Sequence, residues 1–366
     1  MKILIDDGLQ ASVGTGIGNY AKYLAESLAA LPDTAVMRED FAAVGPRRRA
    51  RLVYLRYLDS AAYRRKIADL DVVHYANYAM PRKMPQNVLA AVTVHDLTAF
   101  CHPETLPRAY AIYNRMMIRR AVKRADLLFT VSEAIRQELI ARFPKAKDKV
   151  VAVHPGYYEG TADTTVAENY ENSALTGLKK GKFFLFMGTV ERRKNLGVLI
   201  EAYRRLCEAG DGDDFSLVIA GRDGFGAEVY HQMAKKPPVL GDIRFAGYVS
   251  AADCAKLYQE AAAFVFPSIY EGFGSPQTEC MACGLPLLLS DIPTNREVSE
   301  DYGWYFPPHD AEKLSELMAN VVDGRMVADG ELGRERLAHF CWSDAAEKTR
   351  HAYEIYLKIH PVYGDN

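Results

Sequence analysis

Cysteine is scarce in this sequence, and its arrangement is not that of a disulfide-rich or zinc-binding protein. The 366 residues include six cysteines, which are scattered through the chain rather than spaced as a disulfide framework. They are Cys101, Cys207, Cys254, Cys280, Cys283 and Cys341. The CxxC pair of Cys280 and Cys283 has neither a second pair nor a nearby histidine to complete a zinc site. We therefore expect free thiols and no bound metal, with this pair on a buried helix.

Long hydrophobic runs are also missing. The amino-terminal stretch MKILIDDG has an apolar run too short for the core of a signal peptide, and no segment approaches the length of a membrane span. We therefore expect a protein that is made and kept in the cytoplasm.

The sequence has neither a strong charge of one sign nor an internal repeat. The formal net charge is -2, which gives no global reason to expect a nucleic acid as partner. Nothing repeats at a fixed period, which argues against solenoids and propellers. The length exceeds what one hydrophobic core usually supports, so we expect two domains of roughly 150 to 200 residues.

What the sequence does contain is an alternation of short apolar runs and amphipathic helical segments, which is typical of parallel sheets covered by helices on both faces. The strands predicted in the first half are KILID, VVHYA, LAAVTV, LLFTVS and VVAVH, and those in the second half are FFLFMG, SLVIAG, IRFAGYV, AFVFPS and LPLLLS. We therefore expect an α/β protein with two doubly wound domains. Such domains place their sites at the carboxyl ends of the strands, and facing domains would share one cleft.

The domain boundary is predicted in a polar stretch between the two sets of strands. Residues 155–182 lack sustained periodicity, as expected of a linker, and we place the boundary near residue 170. Residues 1–170 would then form the amino-terminal domain and residues 171–342 the carboxyl-terminal domain. Residues 343–366 begin with Ser-Asp, which suits an N-cap, and continue at helical spacing. We expect this terminal helix to join the first domain.

The stretch YEGFGSPQTE places two carboxylates around a glycine-rich turn between a buried strand and a helix. Gly272 and Gly274 permit positive φ and close approach of another molecule, and a helix that begins at Ser275 offers unpaired N–H groups. Glu271 ends the strand, and we expect Glu279 in the first helical turn, where the dipole favours a carboxylate even without a ligand. Two acceptor-only groups at this separation suit the hydroxyls of a sugar and of a ribose.

The longer stretch EGFGSPQTECMACGLPLLLSD resembles the signature of the retaining, nucleotide-sugar-dependent glycosyltransferases of family 4, in which two glutamates are separated by seven residues. The resemblance implies the GT-B fold, with two facing Rossmann-like domains and an interdomain cleft. It also implies that Glu271 contacts hydroxyls of the donor sugar and that Glu279 binds the nucleotide ribose. The backbone amides of Phe273 and Gly274 match positions that reach the sugar or the phosphate, and Ser275 joins them in the predicted donor site.

A basic turn follows the first strand of the second half. FFLFMGTVERRKNLGVLIEAY predicts a strand, a turn at Gly188 and a helix with Arg192, Arg193 and Lys194 at its start. Cations there oppose the helix dipole, which indicates a nearby anion, although a solvated basic turn is the alternative. By resemblance, Arg193 and Lys194 match the pair that binds the donor diphosphate. A guanidinium and an ammonium can neutralise a leaving diphosphate without a metal.

The stretch IRFAGYVSAADC resembles the next block of the family, in which the loop after a strand holds the nucleobase through backbone groups. Tyr248 and Val249 match that loop. By itself, the stretch predicts only a strand followed by an N-cap serine.

A glycine loop follows the first strand of the chain and resembles that of the family, with Gly14, Gly16 and Gly18 before the first helix. G-x-G-x-G after a strand also suggests a dinucleotide site, but the spacing is not G-x-G-x-x-G and no acid clearly ends the second strand. A nicotinamide dehydrogenase is therefore disfavoured. In the family, this loop lies across the cleft from the donor phosphate.

The strand LAAVTV is followed by His95 and Asp96, at the edge of the sheet where such folds bind ligands. A lone histidine is more often a core or surface residue than a catalytic one. The resemblance implies that His95 contacts the donor sugar and that Asp96 orients it or meets the acceptor.

Residues 46–66 contain many arginines, interleaved tyrosines and a single acid. One interpretation is a solvated surface segment. The other is a patch that binds anionic lipid head groups at the inner membrane face, with Tyr54, Tyr57 and Tyr63 at the interface. Nucleic acid is a less suitable partner because no binding module accompanies the patch.

Together, the residues and the resemblance predict a retaining glycosyltransferase that moves a hexose from a nucleotide sugar to a glycan or lipid-linked acceptor in surface polysaccharide synthesis. GDP-mannose is the first donor expected, because GIGNY and VHDL resemble stretches of bacterial mannosyltransferases. Ser275, Gln277 and Thr278 replace residues that are commonly more apolar in the family, so UDP-sugars stay open as donors. A nucleotide-sugar epimerase of the same fold and a non-catalytic nucleotide-sugar-binding subunit are the alternatives.

Overall fold

The computed structural model describes residues 1–8, 16–39, 41, 47–158, 169–212, 214–236 and 241–360, and it leaves aside the side chains of residues 47–49. Gly14, Pro46 and residues 159–168 of the predicted linker therefore lie outside the described residues.

The chain divides into two compact units. The first comprises Met1–Pro103, Arg108–Gly156 and Phe340–Asn366, and the second comprises Glu104–Pro107 and Tyr157–His339. The main divisions therefore fall at residues 156 and 340, whereas the sequence analysis predicted them near residues 170 and 343.

Each unit contains one six-stranded parallel sheet. The strands of the first sheet are β1 (Lys2–Asp6), β2 (Ala35–Glu39), β3 (Val72–Tyr75), β4 (Leu89–Val94), β5 (Leu127–Thr130) and β6 (Val150–Ala152). Those of the second are β7 (Phe183–Met187), β8 (Ser216–Ala220), β9 (Asp242–Gly247), β10 (Ala263–Phe266), β11 (Leu287–Ser290) and β12 (Gly303–Phe306). Strands such as β4 and β10 are buried along their whole length, as expected for sheets with helices on both faces.

Helices connect most successive strands in both units, whereas β3 and β4 are joined by a segment without a helix. Those of the first unit are α1 (Gly16–Ala29), α2 (Arg47–Leu58), α3 (Ala61–Ile67), α4 (Thr98–Cys101), α5 (Arg108–Arg124), α6 (Glu133–Arg142) and the terminal α14 (Trp342–Ile359). Those of the second are α7 (Leu196–Glu208), α8 (Ala227–Lys235), α9 (Ala251–Glu260), α10 (Ser275–Ala282), α11 (Pro293–Ser299), α12 (Ala311–Val322) and α13 (Gly330–Leu337). Short 3₁₀ helices lie at Pro103–Thr105, Pro144–Lys149, Ser173–Leu175, Arg192–Lys194 and Glu300–Tyr302.

The strand order creates one reversal point in each sheet. The first sheet has the order β2-β1-β3-β4-β5-β6 and the second the order β12-β11-β10-β7-β8-β9. The chain thus leaves β1 toward β2 on one side and returns to β3 on the other, and it leaves β7 toward β8 and returns to β10. In doubly wound sheets, ligands bind at the carboxyl ends of the strands that flank such a reversal.

Two strands were not predicted from the sequence, one at an edge of each sheet. β2 is largely exposed, so its sequence AVMRE lacks the continuous apolar run that marks a buried strand. β12 has only four residues, GWYF, and just Phe306 is fully buried. The other ten strands were predicted.

The terminal helix α14 packs within the first unit, against α1. The Trp342 ring stacks on Tyr23, with ring centroids 5.5 Å apart. The buried side chains of this helix are Ala345, Ala346, Thr349 and Tyr353, which recur at helical spacing as the sequence predicted.

Candidate active site

The reversal point of the second sheet brings two turns together, one after β7 and one after β10. Arg193 lies in the first turn and Tyr270 in the second. The Arg193 carbonyl accepts a hydrogen bond from the Ile269 N–H at 3.0 Å. In return, the Arg193 guanidinium donates to the Tyr270 carbonyl at 2.8 Å. These bonds fix the basic turn against the turn that carries Glu271.

Glu271 forms ion pairs with both predicted diphosphate ligands. Its Oε2 lies 2.8 Å from Arg193 Nη1, and its Oε1 lies 2.6 Å from Lys194 Nζ. The side chains of Glu271 and Lys194 are 7% and 10% exposed, so this is a buried cluster rather than a surface pair. Arg193 also donates to Glu191 at 2.8 Å, which gives the cluster two cations and two carboxylates.

The charges of the cluster set the protonation state of Glu271. Burial alone raises the pKa of this carboxyl, but Arg193 and Lys194 outweigh burial and lower its pKa to about 2. Burial lowers the pKa of Lys194, which Glu271 partly offsets. At neutral pH, Glu271 is therefore an ionised, acceptor-only group beside two cation donors. This combination can bind hydroxyls and phosphate oxygens side by side.

The basic residues do not begin helix α7 as the sequence suggested. They form the 3₁₀ turn Arg192–Lys194, and α7 begins only after Asn195, which adopts a left-handed conformation with φ 53°. The Asn195 amide donates to the carbonyls of Pro267 and Pro308, which holds the turn in place. Arg192 faces elsewhere, with its guanidinium 5.0 Å from the Phe225 ring centroid. Only two of the three basic residues thus reach Glu271.

Gly274 must be glycine for two reasons. Its φ of 84° is in the left-handed region, and a Cβ added there would lie 2.3 Å from Gln277 Nε2. Helix α10 begins immediately afterwards at Ser275. Gly272 and Phe273 precede it in the same turn, and Phe273 is buried. The glycine turn and helix start predicted from the sequence are therefore present.

Gln277 belongs to a buried polar network beneath this turn. It is 0% exposed, and its amide donates to Asn295 Oδ1 at 3.0 Å while accepting from the Ser299 hydroxyl at 2.8 Å. Asn295 in turn donates to the carbonyl of Ser290 at 2.9 Å. Thr278 donates to the Ser275 carbonyl at 2.8 Å. Gln277 and Thr278, which are polar where the family commonly has apolar residues, thus form hydrogen bonds that hold the turn and the start of α10 in place.

Glu279 is the fifth residue of α10, so it lies beyond the first turn, in which we expected it. The stabilisation of an anion by the helix dipole falls off within that turn. Burial raises the pKa of Glu279 to about 7, although the nearby Tyr258 partly opposes the shift. Glu279 therefore holds its proton to a higher pH than an ordinary, exposed glutamate does.

The predicted nucleobase loop follows β9. Tyr248 is 66% exposed, and the Arg222 guanidinium lies 4.5 Å from its ring centroid. Ser250 accepts a hydrogen bond from the Asp253 N–H, so the serine is also the N-cap of α9. Val249 lies between them in the sequence. The sequence analysis did not single out Arg222, which follows β8 just as the basic turn follows β7. A signal was available, because Arg222 comes directly after a glycine at the end of a strand.

Close backbone approach explains the glycine at the end of β8. A Cβ on Gly221 would lie 1.9 Å from the carbonyl oxygen of Gly188, and the φ angle of Gly221 is 144°. The Gly188 N–H donates to the Ala220 carbonyl at 2.9 Å. Gly188 also lies beside Lys194, since a Cβ there would be 3.7 Å from Lys194 Cε. Gly188 thus adjoins Lys194, and its role in donor binding stays a prediction.

The predicted residues of the first unit lie at its carboxyl edge and at the start of α1. His95 Nε2 lies 2.7 Å from the Ala76 carbonyl, which can only accept, so this nitrogen carries the proton. Burial lowers the pKa of His95, which makes it a neutral imidazole with Nδ1 as acceptor. Asp96 accepts from the Thr98 N–H at 2.9 Å. Gly16 is the first residue of α1.

Residues 46–66 are not the tyrosine-faced patch that the sequence suggested. Tyr54 and Tyr63 are 3% and 0% exposed, and both hydroxyls donate to the buried Asp6. The Tyr57 hydroxyl donates to Glu39 at 2.6 Å. These rings fill the first unit instead of meeting a membrane interface. Leu52 and Val53 are the exposed apolar residues of α2, at 58% and 50%.

The cysteines and acids form no metal centre within the part of the chain that the structure describes. All six cysteines are free thiols; Cys280 is buried on α10, and Cys283 is at its C-cap. Across the described ranges, no helix combines the length and apolarity needed to cross a bilayer.

Comparison with protein families assigns both halves of the chain. Residues 171–334 match the family of glycosyl transferases group 1, and residues 14–158 match glycosyltransferase family 4. The two matches together span most of the chain, which belongs to glycosyltransferase family 4. The resemblance in the EGFGSPQTE stretch is therefore confirmed, together with its partner match in the first half.

This glycosyltransferase is similar to enzymes of O-antigen synthesis. It is 29% identical to O-antigen chain mannosyltransferase B of Escherichia coli over 78% of the chain and 74% of that protein. It is 26% identical to O-antigen chain mannosyltransferase RfbU of Salmonella typhimurium over 63% of the chain and 60% of that protein. The match with RfbU thus spans less than two thirds of that relative.

The glycosyltransferase also has the predicted fold. A sucrose-phosphate synthase from Thermosynechococcus elongatus superposes with a TM-score of 0.77 at 20% identity, covering 98% of this chain and 100% of that one. The two parallel six-stranded sheets are those of the GT-B glycosyltransferase fold, as predicted.

Proposed function

We propose that this glycosyltransferase transfers mannose from GDP-mannose to a glycan or lipid-linked acceptor, with retention of anomeric configuration. The observation that carries the proposal is the buried cluster of Glu271, Arg193 and Lys194 at the reversal point of the second sheet. It combines an ionised hydroxyl acceptor with two phosphate ligands, which are the groups that a sugar diphosphate requires. Both O-antigen relatives are mannosyltransferases, which supports mannose as the sugar.

In the proposed reaction, Arg193 and Lys194 stabilise the departing diphosphate. The bond between the anomeric carbon and the diphosphate oxygen breaks, and negative charge develops on that oxygen. Both cations lie in a buried setting, where electrostatic stabilisation is stronger than in water. Because they are already fixed by Glu271, Glu191 and the Tyr270 carbonyl, little reorganisation is needed during the step. These residues serve in place of a metal ion.

Glu271 would hold the sugar that loses this bond. Its low pKa keeps it ionised, so it accepts hydrogen bonds from sugar hydroxyls and favours positive charge on the ring. The acceptor hydroxyl attacks the anomeric carbon from the face that the diphosphate leaves, and its proton passes to the leaving phosphate oxygen. Glu271 acts here as a positioning anion, with no covalent intermediate. The contact of His95 with the donor sugar stays a prediction from the resemblance.

The remaining donor contacts follow the same resemblance. Glu279 would accept the ribose hydroxyls, and the backbone of Tyr248 and Val249 would hold the base. The Phe273, Gly274 and Ser275 amides lie in the turn that leads into α10, whose first N–H groups have no partner within the helix. A phosphate or sugar oxygen suits that position.

A membrane contact, if lipid-linked acceptors are used, would involve α2 and α5. Leu52 and Val53 of α2 and Ile112 and Met116 of α5 are between 49% and 66% exposed. The two helices touch through Arg51, which stacks on Tyr110 and Tyr113. Exposed arginines, including Arg56 and Arg119, flank these apolar side chains. Apolar residues framed by arginine suit the surface of an anionic bilayer.

The test is turnover with a panel of nucleotide sugars in the presence of glycans from the source cell. We expect GDP-mannose to give the highest kcat/KM and the product to keep the α configuration of the donor, as read by NMR. Turnover with a UDP-sugar alone would show that the donor is that UDP-sugar and not GDP-mannose. Epimerised sugar without an acceptor would assign an epimerase, and nucleotide binding without any turnover would assign a non-catalytic subunit.

A further inference from the structure

A second pocket lies at the reversal point of the first sheet, where the chain leaves β1 in one direction and β3 in the other. Gly8 follows β1, and Asn77 and Ala79 follow β3, and all three line this pocket. Such a position is where doubly wound sheets bind ligands. The remaining lining comes from α2, α5 and the chain after β3, with Arg51, Tyr54, Tyr78, Tyr110, Tyr113 and Asn114. None of these residues belongs to the donor site of the second unit.

Arg51 supplies a positive charge that lines the pocket. Its guanidinium carbon lies 4.4 Å from the Tyr110 ring centroid and 5.6 Å from that of Tyr113. No carboxylate pairs with Arg51 among the described residues, in contrast to Arg193. Ring contacts orient a guanidinium while leaving its N–H donors available. A planar fork of this kind matches two oxygens of a phosphate.

Asn114 supplies a second unsatisfied group in the same pocket. The residue is only 5% exposed, and its Oδ1 has no hydrogen-bond partner within the described part of the chain. Buried side-chain amides normally have partners, so an orphaned one that lines a pocket indicates that a ligand completes it. Because the amide can rotate by half a turn, it can offer its NH₂ group to an anion or its oxygen to a hydroxyl.

The buried carboxylate bonded to the pocket lining is that of Asp6, and burial raises its pKa to about 6, which favours its neutral form. Asp6 accepts hydrogen bonds from the hydroxyls of Tyr54 and Tyr63, and it also accepts from the Gly8 N–H at 3.0 Å. Tyr54 thus stands between this carboxylate and the pocket that it helps to line. The other lining tyrosines contribute apolar ring surface together with hydroxyl groups. The pocket therefore combines a cation, an amide and phenol groups, which suits a phosphate joined to a sugar.

We propose that this pocket binds a phosphate group of the glycosyl acceptor, with Arg51 and Asn114 as its ligands. The proposal rests on the proposed function, because it names the chemical class of the acceptor of the same enzyme. The phosphate belongs either to the diphosphate that joins a glycan to a lipid or to a phosphorylated soluble glycan. The exposed apolar residues Leu52 and Ile112 lie on the two helices that line the pocket, which is consistent with the lipid-linked source.

The binding test uses the full chain saturated with GDP, so that the donor site is already occupied. Mannose 1-phosphate and neutral methyl mannoside are titrated by NMR against wild type, Arg51→Gln and Asn114→Asp. We expect either substitution to weaken the sugar phosphate at least tenfold and to leave the neutral mannoside unchanged. The control is Arg64→Gln, which removes an exposed arginine from the neighbouring helix α3 and should change neither. Thermal unfolding of each variant checks that it is folded.

Two results would overturn the proposal that this pocket binds phosphate. One is that wild type does not bind the sugar phosphate, and the other is that wild type and Arg51→Gln bind it equally well. Should Arg51→Gln be unfolded, Arg51→Lys keeps the charge without the planar fork and is expected to weaken the sugar phosphate by a smaller factor. A short-chain isoprenyl diphosphate mannose, titrated in parallel, identifies the source. Tighter binding than mannose 1-phosphate assigns the lipid-linked acceptor, and equal binding assigns a soluble phosphorylated glycan.

Donor hydrolysis, measured on the same samples, separates this inference from the proposed function. If wild type hydrolyses no nucleotide sugar and binds no GDP, the proposed function fails. If wild type does both while Arg51→Gln keeps full affinity for the sugar phosphate, only the pocket inference fails.

Discussion

Lys194 Nζ lies 2.6 Å from Glu271 Oε1, although the two residues are 77 positions apart in the chain. The pair joins the turn after β7 to the turn after β10, strands that are neighbours in the sheet but are separated by β8 and β9 in the sequence. It therefore ties the two halves of the candidate donor site to each other.

Removing one member of this pair should destabilise the protein. Lys194→Met leaves the buried Glu271 carboxylate with Arg193 as its remaining cation, and we expect the free energy of unfolding to fall by about 3 kcal/mol. Denaturant unfolding at pH 7 measures this loss. The control is Lys313→Met, which breaks an exposed pair with Glu316 and should leave the stability unchanged. Equal stability of Lys194→Met and wild type would mean that Glu271 is not held by Lys194.

The cation pair should carry much of the nucleotide affinity. Replacing Arg193 and Lys194 together by glutamine is expected to weaken GDP binding at least about 100-fold, since charged hydrogen bonds contribute about 1.5–3 kcal/mol each. Isothermal titration calorimetry gives the affinity. The matched control is Arg192→Gln, the neighbouring arginine that contacts Phe225 instead of Glu271. Unchanged affinity in the double variant would contradict the diphosphate site.

Nucleotide binding should depend on pH through Glu279. In the proposed site, the ribose hydroxyls would donate to the ionised carboxylate, whose pKa is raised to about 7 by burial. Affinity for GDP is therefore expected to rise between pH 6 and pH 8, because fewer molecules must lose a proton first, with a limit of about tenfold per pH unit below the pKa. Calorimetry in buffers of different ionisation enthalpy should detect proton release on binding. Glu279→Gln should bind more weakly and lose this pH dependence, and a pH dependence equal to that of wild type would assign it to another group.

Gln277 should affect stability but not donor choice. Gln277→Leu removes the hydrogen bonds that Gln277 makes with Asn295 Oδ1 and with the Ser299 hydroxyl, and we expect a loss of about 2–4 kcal/mol in unfolding free energy. The ratio of kcat/KM between GDP-mannose and UDP-glucose should stay unchanged, because the amide faces the network beneath the turn. A shift in that ratio without loss of stability would place Gln277 in the donor pocket.

Membrane association should depend on the exposed apolar residues of α2 and α5. Leu52→Glu combined with Ile112→Glu is expected to lower binding to phosphatidylglycerol-containing vesicles at least tenfold in a sedimentation assay, since both side chains are exposed. Raising the salt concentration should weaken wild-type binding as well. The control is Val229→Glu, which changes an exposed residue of the second unit. An equal effect of the control would show that this surface has no special role.

Most strands could be predicted from the sequence because a strand buried on both faces must be apolar throughout, and runs such as FFLFM satisfy that condition without reference to any partner. The edge strands β2 and β12 could not, since an edge needs no continuous apolar run. The glycine turn was also predictable, because the positive φ of Gly274 reflects a local steric requirement.

The tertiary structure decided what those elements face. Their basic segment suggests an interfacial role for Tyr54 and Tyr63. In the structure, however, both hydroxyls donate to the buried Asp6, and both rings lie in the core of the first unit. Packing also decides three further features of the structure. They are the helical turn between Glu279 and the start of α10, the stacking of Arg222 on Tyr248, and the Asn114 oxygen without a partner among the described residues. The sequence alone determined the buried strands, the glycine turn and the residue types of the site, because these follow from local sterics and apolar periodicity. Which charges meet was decided by the strand order, which brings distant turns to one edge of a sheet.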